Sequence, residues 1–141
     1  ADQITAAVRG FPTGELKAVA GTPYDFTKPR RLGDRAEQLG ERPIYDDNYV
    51  LRREPGDTAL RFAARVADAA SGRQMEVWTT EPGMQLFTST LSVRPVVARV
   101  GYICLETQHF PDAVNQPHFP STILRPGTVF RSTTEYRFST R

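Results

Sequence analysis

Proline and glycine punctuate this chain at short intervals, and that spacing constrains the fold more than any other feature. Gly10, Pro12 and Gly14, then Gly21-Thr22-Pro23, Glu54-Pro55-Gly56-Asp57, the stretch 68–72, and Pro82-Gly83 each interrupt a short extended run. Glycine admits backbone angles that other residues resist and proline removes a backbone donor, so neither a long helix nor a long strand crosses such points. Short runs separated by turns about every eight to twelve residues indicate an all-β sandwich or barrel. Nothing in the pattern supports alternating strand–helix units.

The expected strands are 1–9, 16–20, 45–51, 60–66, 74–80 and 84–88, followed by apolar runs at 96–105 and 129–138. Residues 62–70 are alanine-rich and helical by propensity, but turn residues crowd both ends and the polarity alternates, so a strand is favoured there. A period of two in 45–51 sets Asp46 and Asn48 on the face opposite Tyr45, Asp47 and Tyr49. The one good helix candidate is 31–40, inside a loop covering 24–43.

At 141 residues the chain has the size of one domain. Its apolar fraction is 39%, and no run approaches the roughly 20 apolar residues of a membrane helix, so no membrane partner is expected. A net charge of +2 gives no basic stripe for nucleic acid, and Lys28, Arg30 and Arg31 beside Pro29 read as a solvated loop. The single cysteine, Cys104, excludes an internal disulfide and has no zinc-type spacing with His109 or His118. Its apolar flanks make it a core residue, with a catalytic thiol the minor alternative. A reducing, cytoplasmic compartment is expected. The chain opens on Ala1 with no leader pattern, so any signal is read as removed or never present.

Residues 104–127 gather an acid, amides, two imidazoles, an aspartate and four prolines between apolar runs. That composition reads as a shaped loop held by strands, where functional groups commonly sit. The stretch LETQHFPDAVNQPHFPSTILRPG closely resembles the C-terminal signature of the aldose 1-epimerases, the galactose mutarotases. PTGELKAVAGTPYDF (12–26), YDDNYVL (45–51) and ASGRQMEVWTTEPGMQLFT (70–88) agree with the same family in order. The resemblance implies a large antiparallel β-sandwich, the galactose mutarotase-like supersandwich, with residues 1–141 as the C-terminal portion of that single domain. A sandwich cut in this way leaves unpaired strand edges and an open apolar face. An N-terminal half, as a lost segment or a separate chain, is the expected partner.

The chemistry implied is interconversion of the α and β anomers of a free hexose such as galactose or glucose. A base removes the C1 hydroxyl proton while an acid protonates the ring oxygen, the ring opens, and it recloses with the other configuration. Neither a metal nor a cofactor is required. Glu106 matches the family's general base, and burial of 103–105 before it would push a carboxyl towards the working range; read alone it is a surface glutamate at a strand end. Asp46 and Gln85 match residues that bind sugar hydroxyls, each with the alternative of a half-buried group serving the backbone. Trp78, Phe87 and Phe110 are candidate platforms for a sugar face, at least two of them being core instead. His109 and His118 do not match the family's acid, which is a histidine of the N-terminal half.

The chain departs from the family pattern at Ala6-Ala7-Val8-Arg9, at Phe87-Thr88-Ser89-Thr90 and across 91–100. Two rivals remain beside the epimerase: a non-catalytic carbohydrate-binding or sensing module or a hexose-phosphate epimerase relative, and a purely structural subunit.

Overall fold

The computed structural model describes residues 1–40, 43–54, 56–89 and 101–141. The expected all-β architecture is observed. Strands β1 (Gln3–Val8), β2 (Phe11–Ala18), β3 (Asp46–Val50), β4 (Arg61–Ala67), β5 (Arg73–Thr79), β6 (Gly83–Thr88), β7 (Ile103–Gln108) and β8 (Thr134–Thr140) follow in chain order. They form two antiparallel sheets, one of five strands in the order β2-β1-β3-β6-β7 and one of three in the order β4-β5-β8. Residues 61–67 are a strand despite their alanines, because pairing with β5 on a half-buried surface outweighs helix propensity.

Strands β1 and β2 close on Arg9 and Gly10, both at positive φ (53° and 82°), with Val8 opposite Phe11. A two-residue hairpin with both central residues left-handed matches the twist of the flanking strands. Pro12 and Gly14 do not break the chain after this turn; both lie inside β2. An edge strand tolerates proline because its outward N–H has no ladder partner to lose. The helix expected at 31–40 is a 3₁₀ helix, Leu32–Leu39, kinked at Arg35.

The apolar row of the five-stranded sheet carries Ile4, Tyr45, Tyr49 and Leu86, covered by Val19, Tyr24, Phe26 and Ala36 from the 18–40 segment. A second cluster joins the sheets through Leu51 and Met84 on one side and Val77 on the other. Thr107 and Thr134 bridge them with hydroxyls 2.8 Å apart. A third cluster, Phe110, Ala113 and Phe119, folds the loop after β7 onto Leu16 and Val50, on the opposite face of the larger sheet.

The core is incomplete on β8. Tyr136 and Phe138 stand opposite Val77 and Met75, and so belong to the inward row, yet they are 50% and 76% exposed. A cavity of about 430 Å³ also separates the sheets, lined by Phe26, Tyr49, Ala63, Leu86, Ile103 and Leu105 among others. Among the described residues, β2, β7, β4 and β8 are edge strands, and no helix is long and apolar enough to cross a membrane.

Candidate active site

The polar row of the larger sheet, on the face away from the second sheet, assembles one site from three adjacent strands. In β3 the alternation turns Tyr45 and Tyr49 into the core and leaves Asp46 and Asn48 on the other face. Register then sets Asn48 opposite Gln85 on β6 and Gln85 opposite Glu106 on β7. Asp46, Asn48, Gln85, Phe87, Glu106 and Gln108 line a cleft of about 500 Å³, walled by the β1–β2 hairpin and by Pro111. Asp46, Gln85 and Glu106, named from widely separated motifs, are brought together here.

The side chains are linked across the strands. Gln85 Nε2 donates to Asp46 Oδ1 at 2.7 Å, and Gln108 Nε2 donates to Asn48 Oδ1 at 3.3 Å and to Gln85 Oε1 at 3.5 Å. These bonds orient the Gln85 amide with its nitrogen towards Asp46, leaving the second Asp46 oxygen to accept from a ligand. Asn48 is 2% exposed and fits because position 83 is glycine: a Cβ there would lie 2.7 Å from Asn48 Oδ1 and 2.9 Å from the Phe110 ring. Asn48 and Gln108 were not singled out as site residues from sequence. The alternation placed Asn48 on the Asp46 face, but only strand pairing shows that Gln108 meets it.

Glu106 is placed as its residue-only reading has it, on a strand and at the surface, and not in the loop. The Cys104-to-Gln108 stretch is strand and the loop begins at His109. Ile103, Cys104 and Leu105 before it, expected to be buried, are only half-buried. Among the described residues β7 is the outer strand, so nothing flanks Glu106 on that side. Cys104 is likewise not a core residue. It shares the Glu106 face of β7 and pairs with Phe87.

Of the three candidate platforms, only Phe87 lines the cleft. Phe110 is buried in the third core cluster. Trp78 lies on the outer face of the smaller sheet, with Phe62 beside it and Arg137 stacked at 4.1 Å. Neither histidine lines the cleft: His109 Nδ1 is 2.7 Å from Glu81 Oε2, and His118 Nε2 is 2.8 Å from the Gly14 carbonyl oxygen.

Asp47 occupies the core-side row of β3 among Tyr24, Tyr45 and Tyr49. Burial pushes its carboxyl above the ordinary range, with the neighbouring Asp46 charge adding to the effect and the Asp46 N–H, which donates to it at 3.2 Å, opposing it. Among the described residues, no group of three or more His, Cys, Asp or Glu side chains could hold a metal ion. The altered 91–100 stretch lies outside the described residues.

A family model described as Aldose 1-epimerase matches residues 1–137. The chain belongs to the aldose 1-epimerase family. It is 42% identical over 136 residues to galactose mutarotases of Bos taurus and Homo sapiens, covering 92% of this chain and 39% of each of those proteins. It is 32% identical to the aldose 1-epimerase of Escherichia coli, over 92% of this chain and 40% of that protein. The chain therefore spans about two-fifths of the length of the curated relatives it matches. A crystal structure of a GalM/aldose epimerase homologue from C. elegans superposes with a TM-score of 0.80 at 23% identity, covering 99% of this chain and 44% of that one. That likeness carries the fold.

Proposed function

We propose that residues 1–141 are the C-terminal portion of an aldose 1-epimerase domain acting on a free hexose, galactose or glucose, with Glu106 as general base. The observation that carries this reading is the row across β3, β6 and β7: Asp46 and Gln85, joined at 2.7 Å, lie beside Glu106 in one cleft. Asp46 and Gln85 hold sugar hydroxyls. Glu106 takes the proton from the C1 hydroxyl, and the ring oxygen is protonated from the other side of the sugar, so that the C1–O5 bond opens and recloses after rotation about C1–C2.

The resemblance to the family implies that the acid is a histidine of the N-terminal half, and this fits the two histidines of this chain, which hydrogen-bond away from the cleft. The same partner covers Tyr136 and Phe138 and flanks the outer edge of β7, which excludes solvent from Glu106. In this chain's part of the cleft the acids on the polar row are Asp46 and Glu106, and none of the lining residues is Lys, Arg or His, which favours an uncharged sugar over a hexose phosphate.

The test is Glu106→Gln in the protein assembled with its N-terminal half, with anomer conversion followed by polarimetry. Turnover should fall about 10²- to 10⁴-fold, the usual worth of a positioned base, while galactose affinity stays within a few-fold. Near-normal conversion by this variant would remove Glu106 from the role. If D-galactose binds in the cleft but neither Glu106→Gln nor the N-terminal half affects conversion, the chain is a carbohydrate-binding module instead.

A further inference from the structure

The site depends on the register of β6 against β7, and hydrophobic alternation alone does not set it. A one-residue slip would turn Met84 and Leu86 out of the core, but a two-residue slip keeps them inside and replaces Gln85 opposite Glu106 by Gly83 or Phe87. At the Thr88–Ile103 end Ser89 continues the pairing, its N–H donating to the Tyr102 carbonyl at 3.2 Å and its Oγ accepting from the Gly101 N–H at 2.7 Å. A second constraint lies at the other end of the two strands.

At that end Glu81 is 5% exposed, two residues before β6 begins, and its carboxylate lies 2.7 Å from Nδ1 of His109, the first residue after β7. The Glu81 backbone is fixed as well: its N–H donates to Thr79 Oγ1 at 3.1 Å and its carbonyl accepts from Arg53 Nε at 2.9 Å. Leu51 N–H donates to the Pro82 carbonyl at 2.9 Å, tying the same turn to the end of β3. A buried carboxylate that loses its only strong partner is costly, so the pair resists any slip that separates it.

We propose that Glu81, paired with His109, is a positioning residue for the cleft, locking β6 and β7 in the register that sets Gln85 opposite Glu106. This rests on the sugar-cleft reading only for its consequence, not for its geometry. Glu81→Gln keeps an acceptor for the imidazole N–H and should retain the register. Glu81→Leu removes it, and His109→Ala removes the partner and leaves the buried carboxylate without it.

The experiment is NMR on this chain assembled with its N-terminal half, with D-galactose as probe, at a temperature where each variant is fully folded. In Glu81→Leu and His109→Ala the Gln85–Glu106 cross-strand contacts should weaken or be replaced, and amide exchange at Gly83–Gln85 should quicken about tenfold, as for loss of one buried hydrogen bond. Galactose affinity should fall by a similar factor in both and remain near normal in Glu81→Gln. Either destabilising variant keeping the wild-type contacts, exchange rates and galactose response would overturn the proposal. If the wild-type assembly shows no galactose response at Asp46, Gln85 or Glu106, the sugar-cleft reading fails, and the cross-strand contacts still decide the role of Glu81.

Discussion

Replacing Gly83 with alanine tests whether the floor of the cleft is built as described. The added methyl would lie 2.7 Å from Asn48 Oδ1, 2.9 Å from the Phe110 ring and 3.1 Å from Asn48 Nδ2. None of these neighbours can swing away, because Asn48 is 2% exposed and Phe110 7%, so both must shift by roughly half an ångström to restore ordinary contact. Overpacking of this kind costs about 1–3 kcal/mol, and relief of glycine's extra chain entropy returns about 0.5–1 kcal/mol. The net loss is therefore roughly 1–2 kcal/mol, which for a chain of this length lowers the melting temperature by about 3–8 °C. Because the displaced Asn48 amide accepts from Gln108, galactose affinity should fall as well. Gly33→Ala is the control: nothing lies within 4 Å of its added Cβ, and the melt should hold or rise. Thermal unfolding by circular dichroism and a galactose titration measure both effects. A Gly83→Ala protein that melts with wild type and binds galactose normally would refute the packing argument.

Three further outcomes are expected. Asp46→Asn should weaken galactose binding and slow conversion together, since it removes charge from the acceptor oriented by Gln85, and a binding isotherm unchanged from wild type would exclude Asp46 from the grip. The isolated 141-residue chain should not accelerate mutarotation in polarimetry and should do so once the N-terminal half is added; full activity alone would mean that this chain supplies the acid. Asp47→Asn should stabilise the fold at neutral pH. Burial raises the folded-state carboxyl above its unfolded value of about 3.9, so as pH rises the unfolded state releases its proton first and stability declines until the folded carboxyl also ionises. In melting curves from pH 4 to 7 the variant's gain over wild type should grow as pH rises; equal pH dependence in both would contradict it.

What the sequence determined by itself is local. Turn residues at fixed spacing specify short strands, and a period of two assigns each side chain to a face, which is why Asp46 and Asn48 were separable from Tyr45 and Tyr49 without coordinates. The motifs around Glu106, Asp46 and Gln85 likewise sufficed to nominate those residues. What only the tertiary structure decided is pairing. Gln85 stands opposite Glu106, and Gln108 reaches Asn48, because β6 lies between β3 and β7 in one register, and register depends on contacts such as Glu81 to His109 between residues 28 positions apart. Cys104 was misjudged for the same reason: its apolar flanks suggested a core position, but exposure on an edge strand is fixed by what lies beside the strand, and among the described residues nothing lies beside β7 on its outer side.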